Sequence, residues 1–207
     1  MKNSGNSVPC TEPARFQTVG GRPPPRDTRL QPLSAPRLTG ELIKARDGRS
    51  LLLRDIHRDD VDALRRGFAT LTPDEIRLRF LHPLTDLPRP MAAQFCEIDT
   101  EHAVAIVLLD PEDVAEPTIR AVARAYIDPA TLAAEFALIV QHDYAGQGLG
   151  TLLMQRLIEA CRQRGAVEIW GDVLNENGAM LELCGHLGFS RHAAFHDPGV
   201  IRVHLST

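Results

Sequence analysis

The sequence predicts a mixed α/β (α+β) domain with a mostly antiparallel sheet, and three observations carry this prediction. Apolar, strand-like runs follow one another at residues 102–110, 118–128 and 134–140, with only short turns between them, as in an antiparallel meander. Stretches with helical spacing of apolar residues lie before and after this block. A glycine-rich turn, "GQGLG" at 146–150, then leads from the third strand into a long amphipathic helix.

Composition places the chain among globular proteins and argues against several classes. With 207 residues, 43% of them hydrophobic and 24% charged, the chain is long enough for one domain with a sizeable core. The net charge of −4 argues against a nucleic-acid partner, which normally requires a basic face. No apolar run reaches the roughly 18 residues of a membrane span, so we expect no membrane partner and a cytoplasmic location.

The first half of the chain contains a tail, one strand and three helices. Residues 1–37 are rich in Pro, Gly and Arg and lack apolar periodicity, so we expect a disordered tail before a domain at 38–207. "SLLLRDI" (50–56) predicts a strand, and a helix with a cap at Asp59 or Asp60 is expected to follow. "TPDE" (72–75) is a capping box that begins a second helix. A third, short helix is expected within residues 87–98.

The second half continues from the meander with two helices and three strands. The helix after the glycines has a clear apolar side and is expected to end at Gly165. That side comprises Leu149, Leu152, Leu153, Leu157, Ile158 and Cys161. Residues 166–174 predict a strand, and Asn175 or Asn177 is expected to cap the helix that follows. Residues 189–205 predict two closing strands.

The glycine-rich turn is typical of a phosphate site at a helix N-terminus. Glycines let the backbone approach a ligand closely, and the free N–H groups of a first helical turn bind anions. A nucleoside-triphosphate loop requires Lys and then Ser or Thr after its last glycine, whereas Thr151 and Leu152 follow here. The spacing also departs from the dinucleotide fingerprint G-x-G-x-x-G. Coenzyme A and a tight turn without any ligand remain as interpretations.

Two long stretches carry a resemblance to a known family. "LIVQHDYAGQGLGTLLMQRLIEACRQRG" followed by "EIWGDVLNENGAMLELCGHLGF" resembles the GNAT superfamily of acetyl-CoA-dependent N-acetyltransferases over about residues 50–205. Through "LTPDEIRLRFLHPL", "AEFALIV" and "NENGAMLELCGHLGF", the chain is most similar to the catalytic domain of bacterial Pat-type protein lysine acetyltransferases. The resemblance implies a central mixed, mostly antiparallel twisted sheet of six to seven strands with helices on both faces. It also implies that the fourth and fifth predicted strands splay apart.

The resemblance further implies acetyl-CoA as cosubstrate and a set of residues that hold it. The pantetheine arm is expected along Leu138, Ile139 and Val140, with His142 and Asn177 beside the coenzyme. The diphosphate is expected on the N–H groups of Gln147, Gly148, Leu149, Gly150 and Thr151. The common pattern of the family has Arg or Gln where this chain has Ala145, so one polar contact is either lost or taken over by Gln147.

Two residues are candidates for the chemistry of acyl transfer. An alkylammonium with a pKa near 10.4 must lose a proton before it attacks, so a general base is required. Glu135 is the only acid in the apolar strand "AAEFALIV", and it matches the proposed base of the Pat-type family; a structural Glu paired with an Arg such as Arg124 is the alternative. Cys184 stands where the family commonly has a Tyr that protonates the leaving thiolate, and it is a weak candidate because a Cys on a helix face usually packs in the core.

The sequence leaves the acceptor open and argues against a metal site. We expect an amine acceptor, a protein lysine first, and a small amine, an N-terminal α-amine or a non-catalytic acetyl-CoA sensor as alternatives; the chain is expected to be a monomer or homodimer. His192 and His196 would lie about 13 Å apart on a strand, and the four cysteines form no CxxC pair. Arg77 and Arg79 are expected on a solvated helix face or facing an acidic substrate.

Overall fold

An eight-stranded sheet forms the centre of the computed structural model, in the order β1-β2-β3-β4-β5-β6-β8-β7. The structure describes residues 40–113, 115–193 and 197–207, so the tail predicted over residues 1–37 lies outside the described residues. The strands are β1 Glu41–Lys44, β2 Ser50–Asp55, β3 Ala103–Leu109, β4 Ile119–Ile127, β5 Ala133–Val140, β6 Glu168–Leu174, β7 Ser190–Ala193 and β8 Val200–Ser206.

The prediction of a mixed, mostly antiparallel sheet is confirmed, with one strand more than the six to seven expected. The addition is β1, which pairs antiparallel with β2 at one edge of the sheet. Of its four residues only Ile43 is buried, and Leu42 is 67% exposed. A strand this short, with one buried side chain, leaves no alternating or continuous apolar run in the sequence.

The sheet has a single parallel pair among its described strands, and that pair is short. β3, β4 and β5 form the predicted antiparallel meander. β5 and β6 run parallel and pair only over Ala133–Glu168, Ala134–Ile169 and Glu135–Trp170. Beyond these pairs the two strands diverge, whereas β6 continues to pair with β8 through Leu174. β5 and β6 are the fourth and fifth strands predicted from the sequence, and they splay apart as expected.

Five helices connect the strands in the part of the chain that the structure describes, and the cap of the last one decides a point that the sequence left open. They are α1 Val61–Ala69, α2 Pro73–Phe80, α3 Arg89–Cys96, α4 Leu149–Gln163 and α5 Gly178–His186. At the predicted capping box, Thr72 N–H donates to Glu75 Oε2 (2.7 Å) and Glu75 N–H donates to Thr72 Oγ1 (3.2 Å). α5 is capped by Asn177, whose Oδ1 accepts from Met180 N–H (3.1 Å).

The cap of α1 lies at Asp60, one of the two expected positions, but the Asp60 side chain is used elsewhere. A 3₁₀ turn at Arg58–Asp60 precedes the helix, and Asp60, although it is the N-cap residue of α1, makes no side-chain cap bond there. Its carboxylate accepts from His57 N–H (2.7 Å) and from both terminal nitrogens of Arg54 (2.7 Å each). This buried acid therefore pairs with the terminal nitrogens of Arg54 and with the backbone ahead of the helix, instead of capping the first turn of α1.

Helices cover both faces of the sheet. α4 packs on one face through the fully buried Leu153, Met154 and Leu157, which share a core with β3, β4, β5 and β6. α1 and α3 pack on the other face, where Ala63 and Cys96 contact the alternate side chains of β3 and β4. In the part of the chain that the structure describes, no helix is both long and apolar enough to cross a membrane.

Candidate active site

The glycine-rich turn ends at the N-terminus of α4 and leaves several N–H groups without a partner in the helix. Gly148 is the N-cap residue and has a φ of 82°, a conformation that glycine adopts without the steric cost of a β-carbon. Leu152 N–H donates to Gly148 C=O (3.1 Å), so the N–H groups of Leu149, Gly150 and Thr151 precede the first helical hydrogen bond. These donors and the positive end of the helix dipole form a site suited to a phosphate group.

A groove begins at this turn and runs along the splayed part of β5. Its floor is the end of β5, one wall is α2 and the other wall is the start of α5. It is lined by Glu75, Leu78, Arg79, Leu138, Ile139, Val140, Tyr144, Ala145, Gly146, Gly150, Asn177, Ala179, Met180 and Leu183. The lining is mainly apolar with a few polar groups at its edges, which is the usual composition of a small-molecule or cofactor site.

Most of the residues expected to hold the coenzyme lie at this groove or its phosphate end. Leu138, Ile139, Val140, Gly150 and Asn177 line the groove itself. The remaining expected backbone donors, Gln147, Gly148, Leu149 and Thr151, lie in the turn and the first turn of α4. His142 is different: its side chain is exposed and does not belong to the lining.

The groove is narrow at Gly150, and this fits a slender ligand arm. A β-carbon on Gly150 would lie 3.4 Å from Leu183 Cδ2 and 3.7 Å from Leu138 Cδ2. A side chain at this position would therefore occupy the space between the floor and the α5 wall. Backbone donors at one end and an apolar channel along β5 together suit a ligand that combines a phosphate group with a slender arm.

Glu75 connects the α2 wall to the end of β5. Its Oε1 accepts from His142 N–H (2.6 Å), and its Oε2 lies 3.2 Å from His142 Nδ1. Burial alone would raise the pKa of this carboxyl, but hydrogen bonds from Thr72 and His142 outweigh it and lower the pKa below the ordinary value. Both oxygens are thus used to hold α2 against the segment that precedes the glycines.

Glu135 lies at the point where β5 and β6 begin to diverge. It is half-buried, stands opposite Tyr126 on β4 and is paired with Trp170 on β6. Its neighbours Ala134 and Phe136 point into the core under α4, so the Glu135 side chain lies on the opposite face of the sheet. Within the residues that the structure describes, Glu135 also interacts with other groups and is not an isolated acid.

Cys184 is placed in the core and away from the groove. Its side chain is fully buried within the cluster that α4 and α5 share, whereas its neighbour Leu183 lines the groove. Burial raises the pKa of the Cys184 thiol to about 11, which makes it a poor proton donor. The position favours the packing role of Cys184 over the weak catalytic role that the sequence allowed.

The expectation of a solvated face holds for Arg77, whose side chain is 40% exposed, but not for Arg79. Arg77 pairs with Glu176 across the groove. Arg79 is half-buried and lines both the groove and a second cavity beneath α1, α2 and α3. Burial and the nearby guanidinium of Arg124 lower the pKa of Arg79. Periodicity alone does not reveal this position, because α2 has only two turns and its arginines are two residues apart.

The two histidines that were weighed as metal ligands do not share a described site. His192 is exposed on β7, and its ring lies 5.6 Å from the ring of His204. His196 lies outside the described residues.

The chain is similar in sequence to known acetyltransferases. The model of the Acetyltransferase (GNAT) family matches residues 68–189. An acetyltransferase of Pseudomonas aeruginosa (PA5475) is 30% identical over 143 residues, which cover 69% of this chain and 76% of that protein. The [ribosomal protein bS18]-alanine N-acetyltransferase of Escherichia coli K12 is 37% identical over 70 residues, which cover 34% of this chain and only 45% of that protein.

Among solved structures, the GNAT domain of S. lividans PAT shares the fold. It superimposes with a TM-score of 0.72 at 23% sequence identity, covering 81% of this chain and 96% of that domain. The matched family region begins in α1 and ends just after α5, so it includes the glycine-rich turn, the splayed strands and both walls of the groove. The chain therefore belongs to the GNAT family and is an N-acetyltransferase.

Proposed function

We propose that this enzyme transfers the acetyl group of acetyl-CoA to the ε-amine of a protein lysine, by direct attack in a ternary complex with Glu135 as general base. The observation that carries the proposal is the position of Glu135. It is the last residue of β5 that pairs with β6, so its carboxylate stands where the splayed strands begin to separate. A ligand arm lying along Leu138 to Val140 would bring its end toward this point.

The chemistry requires a base because the acceptor is an ammonium at neutral pH. A lysine ε-amine with a pKa near 10.4 is protonated in all but a small fraction of molecules. Acetyl-CoA supplies the acetyl group as an activated thioester. Glu135 accepts a proton from the ammonium, directly or through one water. The neutral nitrogen then attacks the thioester carbonyl and the C–S bond breaks. The second proton of the nitrogen passes through water to the leaving thiolate, so that the products are the amide and the free thiol.

The surface beside Glu135 supports a macromolecular acceptor. Trp170, Asp172, Arg202 and His204 lie on the same face of β6 and β8, and all four are half-buried or exposed. We call this set the open face. Arg202 pairs with both oxygens of Asp172 (2.8 and 2.7 Å) and lies 4.2 Å above the ring of Trp170. A shallow, accessible face of this kind suits a protein side chain better than a small free amine.

The second cavity does not suit a polyamine. It lies beneath the first three helices, where Arg79, Arg120 and Arg124 accompany mainly apolar side chains. None of the described residues that line it is acidic. A polycation would meet like charge there and no carboxylate.

The test is turnover of the Glu135→Gln variant on a lysine peptide. We expect kcat to fall at least about 100-fold, while acetyl-CoA affinity measured by calorimetry stays within about twofold. Glu159→Gln is the matched control, because Glu159 is exposed on α4, on the other side of the sheet. Turnover of Glu135→Gln equal to that of the control, with the same melting temperature, would remove Glu135 from the mechanism.

A second candidate acceptor is an N-terminal α-amine, favoured by the 37% identity to the alanine N-acetyltransferase of E. coli. An α-amine has a pKa near 8, so it needs less help from a base. Two peptides separate the candidates: one with a blocked N-terminus and an internal Lys, and one with a free N-terminal Ala and no Lys. Acetylation of only the second peptide, with a smaller loss in Glu135→Gln, would replace the lysine proposal.

A further inference from the structure

The hairpin between β1 and β2 is attached to the glycine-rich turn, although the two are far apart in sequence. Arg46 N–H donates to Gln147 C=O (3.4 Å), and Asp47 N–H donates to Gln147 Oε1 (3.0 Å). Arg49 Nη2 donates to Asp143 C=O (2.6 Å). Three contacts thus hold the hairpin against the phosphate end of the groove, and the amide oxygen of Gln147 is used in one of them.

One cation of the hairpin lies over the turn itself. A β-carbon on Gly148 would be 3.3 Å from Nε of Arg46 and 3.7 Å from its Cζ. Gly148 is the N-cap of α4, so the guanidinium of Arg46 lies beside the helix end whose N–H groups have no helical partner. Arg46 is also exposed to solvent and is free to move toward a ligand.

The charge balance of the site sets Arg46 apart from its neighbours. Residues 145–151 contain no charged side chain, so a diphosphate there would meet only neutral dipoles from the turn. Arg49 is paired with Asp47 (2.6 Å), and Arg120 is paired with Asp113 (2.7 Å). Among the ion pairs formed by residues 40–113, 115–193 and 197–207, none involves Arg46.

We propose that Arg46 is a diphosphate-binding residue that reaches the coenzyme from outside the glycine-rich turn. The inference rests on the proposed use of acetyl-CoA. Ala145 offers no polar side chain and the amide of Gln147 carries no charge, so Arg46 supplies the charged contact that the turn lacks. A guanidinium can donate two parallel hydrogen bonds to phosphate oxygens, and its place beside Gly148 directs them to the diphosphate.

The experiment is calorimetric titration of Arg46→Ala, Arg46→Lys and the wild type with two ligands, acetyl-CoA and 3′-dephospho-acetyl-CoA. Both ligands keep the diphosphate, and only the first has the 3′-phosphate. Arg162→Ala is the matched control, because Arg162 is exposed in the last turn of α4, about 20 Å along the helix from Gly148. All variants keep the backbone contacts of the hairpin, and their melting temperatures are measured alongside.

We expect Arg46→Ala to bind both ligands about 10-fold more weakly, with a smaller loss for Arg46→Lys, which keeps the charge but not the paired donors. The affinity of Arg46→Ala should also depend less on salt. Three results would overturn the inference: unchanged affinity, a loss equal to that of Arg162→Ala, or a loss seen only with acetyl-CoA, which would assign the cation to the 3′-phosphate. A wild type that binds neither ligand would instead refute the proposed coenzyme.

Discussion

Arg77 of α2 forms an ion pair with Glu176, the residue that precedes the cap of α5. α2 and the start of α5 are the two walls of the groove, so this pair connects one wall to the other above the floor of β5. Both side chains are substantially exposed, at 40% and 56%. An exposed ion pair typically contributes at most about 1 kcal/mol, so we expect this one to favour a particular separation of the walls only weakly and to open during ligand exchange.

Removing this connection should speed the exchange of coenzyme without abolishing its binding. We expect Arg77→Ala and Glu176→Ala each to raise the acetyl-CoA dissociation rate by at most about fivefold, with a smaller effect at high salt because exposed charges are screened. Stopped-flow displacement of a fluorescent coenzyme analogue measures the rate. The double variant Arg77→Glu/Glu176→Arg should restore the wild-type rate. Single variants that release the coenzyme at the wild-type rate would show that the pair does not influence exchange.

Gly150→Ala should change stability and binding in opposite directions. The substitution replaces a helical glycine by a better helix former, worth up to about 1 kcal/mol, and should raise the melting temperature by about 2–4 °C. The new methyl group would stand 3.4 Å from Leu183 and 3.7 Å from Leu138, in the path of the ligand arm, so acetyl-CoA affinity should fall at least about 10-fold. Unchanged affinity in the stabilised variant would place the coenzyme elsewhere.

Glu75 should give the enzyme a stability that is lost in acid. Its folded-state pKa is lowered from 4.5, so its contribution is present above pH 4.5 and disappears as the pH falls through the lower folded value. Glu75→Gln should lower the free energy of unfolding by about 1 kcal/mol at pH 7, as for a lost helix cap. Urea titrations at pH 7 and pH 3 measure this; a difference between wild type and variant that stays constant with pH would mean that the carboxylate charge is not its source.

Cys184→Ala tests whether the thiol has any part in catalysis. Because Cys184 is fully buried in the core, we expect the variant to lose about 1–2 kcal/mol of stability. Its kcat should stay within a factor of about three, far from the roughly 100-fold loss typical of a general acid. A large loss of kcat with an unchanged melting temperature would return Cys184 to the mechanism.

Elements with strong local signals could be predicted from the sequence. The capping box at Thr72, the meander and the helix after the glycines depend on neighbours within a few residues, and the structure has all three. β1 was not predicted because one buried residue in four makes no pattern. Which of Asn175 and Asn177 caps α5 depends on the residue at which the helix begins, and composition alone does not determine that residue. In the structure the cap is Asn177.

The site was predictable where it belongs to one segment and unpredictable where distant segments meet. The floor residues Leu138 to Val140 and the glycine-rich turn are adjacent in sequence. Arg46 reaches that turn through a hairpin about 100 positions earlier; the contact between Asp47 and Gln147 spans 100 residues. Arg79 is similar, because only the packing of α2 against β5 shows that it faces the groove.

The pairing of β5 with β6 is the shortest ladder of the sheet. It has three residue pairs, whereas the ladders on either side of it, β4 with β5 and β6 with β8, have seven each, so β1–β5 and β6–β8 form two groups of strands with a short connection. A ligand that pairs with the free edge of β5 would bridge them and act as a segment of strand. Ligand binding would then raise the free energy of unfolding, by about 2.7 kcal/mol at a ligand concentration of 100 Kd. The backbone amides of β5 beyond Glu135 should exchange with deuterium quickly in the free enzyme and slowly once the cosubstrate is added.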